Sequence, residues 1–328
     1  MSEDELIATI FAPLAGPGGL RLEDDAALLA CVPGEELVLT KDLLVAGVHF
    51  FADDPPDAIA RKALRQNLSD LAAKAAEPKG FLLGLVLPAD WQEDWLRVFA
   101  SGLADDAAHF DIALLGGDTV CTPGPLTVSI TALGSVPQGE MVPRGAAKPG
   151  DHLFVTGTIG DSALGLKIRQ SSEADQAWIG GLETKSQAFL RQRYLLPQPR
   201  LGLCAALRAF AHAAMDISDG LAGDLAKMLR VSGVTAEIAI ADVPLSAAAQ
   251  AALAQDPALI ETLLSGGDDY EILAAVPPEK TALFEQAAAA AGIPIHCIGI
   301  VAAGTNPPVF RDNAGQVLAL KLLSYAHF

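Results

Sequence analysis

The stretch Met215-Asp216-Ile217-Ser218-Asp219-Gly220-Leu221 constrains the fold more than any other. A buried segment ends here and runs straight into a helix. Leu221, Leu225, Met228 and Leu229 follow at helical spacing, and Ser232-Gly233 closes the run. The Ser218 hydroxyl is placed to cap the helix by accepting a first-turn N–H. Asp216 and Asp219 then flank a helix N-terminus, where the dipole favours negative charge. Taken alone, this is a capped helix with an acidic start. Four more stretches set carboxylates beside small residues: Glu23-Asp24-Asp25-Ala26-Ala27, Thr40-Lys41-Asp42, Gly116-Gly117-Asp118-Thr119 and Gly266-Gly267-Asp268-Asp269-Tyr270-Glu271. The recurrence points to hard-cation sites, and the expected ion is Mg²⁺ held between carboxylates and phosphates.

At 328 residues the chain is long enough for two domains with a sizeable core. With 51% hydrophobic and 19% charged residues it is globular and not disordered. A net charge of −18 argues against a nucleic-acid or anionic-membrane surface. It leaves ATP open, provided metal ions supply the neutralising charge. Cys31, Cys121, Cys204 and Cys297 stand far apart and form no C-x-x-C pair, which favours buried reduced thiols. The acidic start Met1-Ser2-Glu3-Asp4-Glu5 lacks the basic region of a signal peptide, and no apolar run reaches spanning length. The expectation is a soluble, cytoplasmic protein.

In chain order, residues 1–22 predict a short helix and a Gly/Pro loop, and Glu36–Lys41 a strand. Asp54-Pro55-Pro56 starts a helix to about Ala76, with Ile59, Ala63, Leu64, Leu68 and Leu71 on its apolar face. Asn67 and Asp70 share a face three residues apart and are assigned to a site. Phe81–Leu87 is a buried strand, Trp91–His109 an amphipathic helix, and Ile112–Leu115 a short strand running into Gly116-Gly117-Asp118. Leu126–Leu133 is the next strand. Turn residues at Pro143-Arg144-Gly145 and Lys148-Pro149-Gly150 set the boundary between domains 1–145 and 146–328. The second half opens with strand His152–Thr156 and a glycine turn, Gly157-Thr158-Ile159-Gly160, which is not a Walker loop because Gly-Lys occurs nowhere. Helices follow at Ser186–Tyr194 and Gly202–Ala213. Strands are expected at Glu237–Ile240, Tyr270–Val276 and Ile295–Val301, with a hairpin turn at Asp312-Asn313-Ala314-Gly315.

Nine motifs in order carry a resemblance. They are Asp24-Asp25-Ala26-Ala27, Thr40-x-Asp42, Gly47-x-His49-Phe50, Asn67-Leu68-Ser69-Asp70-Leu71, Gly116-Gly117-Asp118-Thr119, Lys148-Pro149-Gly150-Asp151, Val155-Thr156-Gly157-Thr158, Asp216-x-Ser218-Asp219-Gly220 and Gly266-Gly267-Asp268-Asp269-Tyr270-Glu271. The chain resembles the thiamine-monophosphate kinases, of the aminoimidazole ribonucleotide synthetase superfamily, over nearly its whole length. The resemblance implies a two-domain α/β protein of α+β type. Its N-terminal mixed-sheet domain would pair with a second copy in a homodimer, and a C-terminal α/β domain would follow. It implies transfer of the ATP γ-phosphoryl to thiamine phosphate. Asp25, Thr40, Asp42, Asp70, Asp118, Asp216 and Asp219 would hold several Mg²⁺ ions. Gly117, Asp118, Arg144 and Ser218 would contact ATP, and His49, Asp268 and Leu322 the thiamine phosphate. No strong general base is implied.

The chain departs from the family pattern at three places. Glu23 stands where glycine is usual, Lys41 where threonine is usual, and Leu322 where a tryptophan often packs on the substrate rings. If the middle residue of Thr40-Lys41-Asp42 lends only its backbone carbonyl to a metal, Lys41 is tolerated; if the side chain matters, its ammonium would replace part of a cation's charge. Two superfamily alternatives fit poorly. The selenophosphate synthetases are expected to show a reactive cysteine before the Asp-Asp pair, and the hydrogenase-maturation members a cysteine in their tail. This chain has neither. A non-catalytic ATP- and Mg²⁺-binding protein of the same fold stays open.

Overall fold

Alternation of buried and exposed side chains along one long strand sets the architecture of the first half. In β1 (Glu35–Val45), Val38 and Leu44 turn inward while Leu37, Leu39 and Leu43 are exposed. The computed structural model describes residues 3–24, 26–30, 32–320 and 324. Asp25, Cys31 and Leu322, named above, lie outside them. The chain divides into two compact units, one of residues up to Leu71 with Ala76–Met141, the other of Ala72–Ala75 with Val142 onward. Residues 142–145, assigned above to the first domain, group with the second unit.

The first unit begins with α1 (Glu3–Leu6), which continues as a π-turn over Ile7–Phe11. After β1 come α2 (Pro56–Ala73), β2 (Glu77–Pro88), α3 (Glu93–His109), β3 (Ala113–Thr122) and β4 (Thr127–Pro137). The sheet order is β1-β4-β2-β3. β4 is antiparallel to both β1 and β2, and β2–α3–β3 is a parallel crossover. Among the boundaries that differ from expectation, three have a local cause. β1 runs to Val45 because its pairing with β4 continues from Asp42↔Ile130 to Val45↔Thr127. α2 stops at Ala73 because Ala75 takes a left-handed φ of 59° and Ala76 N–H returns to the Leu71 carbonyl. Gly116-Gly117-Asp118 does not follow a strand but lies within β3, paired with Leu82, Leu83 and Gly84. Gly117 is obligatory there, since a Cβ would sit 1.8 Å from the Leu83 carbonyl oxygen.

The second unit is a six-stranded sheet in the order β10-β7-β9-β5-β8-β6. Its strands are β5 (His152–Thr156), β6 (Ala213–Ile217), β7 (Val234–Ala239), β8 (Glu271–Val276), β9 (Ile295–Ala303) and β10 (Val309–Arg311). Its helices are α4 (Asp161–Gln170), α5 (Gln176–Gly180), α6 (Thr184–Leu195), α7 (Cys204–Phe210), α8 (Leu221–Ser232), α9 (Ala247–Gln255), α10 (Leu259–Ser265) and α11 (Thr281–Ala290). Both sheet faces are covered, and the pleat divides the core accordingly. Leu153, Val155, Met215, Ile217 and Leu273 pack with Leu225 and Met228 of α8. Phe154, Ala214, Ile272 and Ala274 pack with Leu207 of α7 and Phe284 of α11. A third cluster joins α4, α5, α6, α9 and α10 through Leu164, Trp178, Leu190, Ala249 and Leu263.

The helix expected over Gly202–Ala213 is shorter, because Ala211 turns extended and His212 N–H bonds the Ala275 carbonyl of β8. The loop at Asp312–Gly315 closes as expected, with Asp312 N–H on the Gln316 carbonyl. Cys204 is buried, whereas Cys121 and Cys297 are exposed, contrary to the expectation of buried thiols. Both exposed cysteines sit on strands where one face is open. Among the described residues no helix is long and apolar enough to cross a membrane.

Candidate functional site

The first unit's predicted metal positions fall on opposite faces of one sheet. Thr40 and Asp42 point to the face that carries Val38 and Leu44, where Asp70 of α2 meets them. The Thr40 hydroxyl donates to the Asp70 carboxylate. Burial, and then the charge of Asp70, push the Asp42 carboxyl up to about 7, while Lys41 works in the opposite direction. Asn67 does not join this group. It is fully buried and its amide donates to the Ala63 carbonyl of its own helix.

Asp118 lies on the other, open face. The register sets Leu43, Ser129, Gly84 and Asp118 in one row across the sheet, and Lys41, Thr131, Leu82 and Gly116 in the next. Above these rows lies a cavity of about 790 Å³. Ile7, Phe11 and Leu22 of the N-terminal segment wall it, and Gly84, Gly116 and Gly117 are the places in its lining that carry no side chain. The volume suits a nucleotide-sized ligand.

His49 follows β1. Its Nδ1 accepts the Val45 N–H at 3.0 Å, which leaves the proton of the neutral ring on Nε2. Buried Lys62 donates to the His49 carbonyl at 3.2 Å and so holds this loop to α2.

In the second unit Asp216, Ser218, Asp219 and Asp268 come together. Asp216 is buried near the end of β6, and Ser218 and Asp219 form the turn into α8. The expected Ser218 cap does not form. Gly220 is the N-cap, and Asp224 reaches back from the first turn to accept the N–H groups of Ser218 and Asp219, each at 2.9 Å. Burial pushes the Asp224 carboxyl up, and a hydrogen bond from Lys227 offsets part of the shift. Lys227 also donates to Asp219 at 2.5 Å. Asp268 N–H donates to the Ser218 carbonyl and Tyr270 N–H to the Ile217 carbonyl, both at 2.8 Å. Asp268 and Tyr270 hold left-handed φ values of 71° and 51°, and the Tyr270 hydroxyl donates to the Asp268 carboxylate. Gly267 permits the contact, because a Cβ there would meet the Ser218 carbonyl oxygen at 2.5 Å. Arg144 is exposed just before β5.

Comparison with known proteins assigns this arrangement to a family. The N-terminal domain model of AIR synthase related proteins matches residues 23–136, and the C-terminal domain model matches residues 148–311. The thiamine-monophosphate kinase of Caulobacter vibrioides is 49% identical over 303 residues, covering 91% of this chain and 83% of that protein. The chain belongs to the thiamine-monophosphate kinase family. The crystal structure of the family's Stenotrophomonas maltophilia member matches at a TM-score of 0.80 and 38% identity, covering 90% of this chain and 91% of that one. The kinase AaThiL, complexed with AMPPCP and TMP, matches at 0.77 and 29%, covering 100% and 99%.

Among the described residues no three His, Cys, Asp or Glu side chains form a ready cation cage. Mg²⁺ keeps several waters and takes one or two carboxylates plus substrate phosphates. Asp42 and Asp70 could hold such an ion: they are two carboxylates on one partly closed face, and after burial the charge of Asp70 is what raises Asp42. Sequence reasoning missed Asp224, Lys227 and Lys62, which position the site's backbone. An acidic residue in the first turn of α8, three before a lysine, was the available signal for Asp224 and Lys227. Lys62 carried none.

Proposed function

We propose that the chain transfers the γ-phosphoryl group of ATP, in line, to the phosphate of thiamine phosphate, giving thiamine diphosphate, as a cytoplasmic homodimer. Family membership makes it a kinase with a phosphate group as acceptor. The observation that carries the substrate assignment is the full-length match to AaThiL, complexed with AMPPCP and TMP. Asp42 and Asp70, Asp118, and Asp216 with Asp219 are the carboxylates assigned to Mg²⁺, together with Thr40 and, outside the described residues, Asp25. Mg²⁺ ions at these carboxylates would supply charge neutralisation for anionic phosphates, the chief requirement of phosphoryl transfer. The acceptor phosphate, with a second pKa of about 6, is already largely ionised at neutral pH, so no strong base is required.

The remaining roles follow from position. The glycine floor at Gly117 lets phosphates approach the backbone, and Ser218 and Arg144 are assigned to the nucleotide. His49 presents Nε2–H toward thiamine phosphate, and Asp268 is assigned to the same ligand. Leu322, outside the described residues, is assigned to its rings by sequence position alone.

The homodimer reading rests on the open sheet face. Leu39 is 62% exposed and Leu43 51%, and Leu37, Leu82 and Val120 add to the same patch. A second copy set against this face would bury the leucines and roof the 790 Å³ cavity. Leu39→Glu places a charge in that contact, and sedimentation equilibrium is expected to show a dimer for the wild type and a monomer for the variant. A monomeric wild type, or a dimeric variant, removes this part of the proposal.

The catalytic reading is tested by ADP release from ATP and Mg²⁺ with and without thiamine phosphate. Release is expected to depend on thiamine phosphate and to match thiamine diphosphate formed. ATP binding with no stimulated release would instead identify a non-catalytic nucleotide binder.

A further inference from the structure

Lys41 is a cation set in an otherwise apolar strip. Leu37, Leu39 and Leu43 share its face of β1, and all three are exposed. The Lys41 ammonium reaches Ser129 Oγ at 2.6 Å and Thr131 Oγ1 at 3.4 Å. Both partners are neutral hydroxyls, so the charge is held in place without being cancelled. Among the described residues no carboxylate lies within ion-pair distance of it. Lys41 Nζ therefore lines the 790 Å³ cavity with no ion pair among the described residues, although its charge is felt by Asp42 of the opposite face.

The two ends of the cavity differ in sign. Lys41 stands on β1 and Asp118 on β3, the outermost strands of the four-stranded sheet. Three strand spacings separate them, roughly 14 Å at the level of the backbone. Between them lie Thr131 and Ser129 of β4 and Leu82 and Gly84 of β2. A polyphosphate chain complements the polar part of this floor: the carboxylate assigned to a metal at one end, an ammonium at the other, and the two hydroxyls with Gly84 between. Covering the leucine strip would also leave the ammonium in a low-dielectric setting, where it needs an anion beside it.

We infer that Lys41 binds the polyphosphate of the nucleotide directly and gives this chain a component of ATP affinity that needs no divalent metal. The inference rests on the kinase reading above, and its test is separable from that reading. ATP and adenosine binding to the full chain are measured by calorimetry in EDTA for the wild type, Lys41→Met and Lys41→Arg. Loss of a charge-assisted hydrogen bond is expected to weaken ATP binding about tenfold or more in Lys41→Met. Lys41→Arg should recover most of it, and adenosine should bind all three proteins alike. The unfolding midpoint of Lys41→Met should match the wild type, because the side chain is exposed. Equal ATP affinity of wild type and Lys41→Met in EDTA overturns the inference, as does a wild type that binds no ATP without metal. ADP release stimulated by thiamine phosphate, measured on the same wild-type preparation, decides the kinase reading independently.

Discussion

Replacing Asp118 by alanine is expected to lower turnover with ATP and thiamine phosphate by about a hundredfold or more. The chain should still fold, since Asp118 is exposed on the open sheet face and supports no core contact. The loss is electrostatic. Two phosphates must approach each other, and a missing carboxylate removes part of what holds their counter-ion. Asp216→Ala is expected to act in the same direction from the second unit. Asp216 is buried, so its variant needs a melting curve beside the rate measurement to separate a lost site from a loosened fold. Near-normal rates in both variants, each with a wild-type melting curve, would sink the carboxylate assignment.

The largest expected effect on stability belongs to Glu271. Its side chain is 0% exposed and accepts from four donors: Thr156 Oγ1 at 2.6 Å, Arg193 Nη2 at 2.8 Å, and Arg200 Nε and Nη2 at 2.7 and 2.6 Å. Glu271→Gln keeps the shape but removes the charge, and turns an amide N–H₂ toward groups that are themselves donors. Buried Arg193 and part-buried Arg200 lose the carboxylate that both hydrogen-bond. Breaking a buried pair in this way costs about 3–5 kcal/mol, against a total stability of about 5–15 kcal/mol for a typical domain. The variant should unfold at clearly lower denaturant with little change in the slope of the transition. A midpoint equal to that of the wild type would show that the cluster contributes no net stability.

The sequence made the fold class and most of the elements legible. Apolar runs such as Phe81–Leu87 and the helical spacing after Leu221 are local signals, and local signals survive folding. The Gly-Gly-Asp stretch was misplaced for a physical reason. Glycines were read as ending a strand, but Gly117 is required because a neighbouring strand's carbonyl occupies the space of its Cβ. The division of Thr40 and Asp42 from Lys41 was present in the odd–even pattern of β1, yet three consecutive polar residues invite being read as one cluster. The grip of Arg193 and Arg200 on Glu271 was out of reach, because the partners lie 78 and 71 residues apart. No periodicity in one sequence reports such a contact. Asp224 was legible as a first-turn acid, but not as the group that folds the Ser218 turn back on itself.

The alternation in β1 has a consequence for how this gene can change. Neighbouring codons here serve different compartments of the molecule: Thr40 and Asp42 one side, Lys41 and the leucines the other. Lengthening or shortening the strand by one residue would exchange the two sides beyond that point, turning an aspartate outward and a lysine toward α2. A change of two would restore the assignment. The strand therefore has a reading frame of its own, with a period of two residues. Length variation in this part of the chain should accumulate in the turns that flank β1 and not within it.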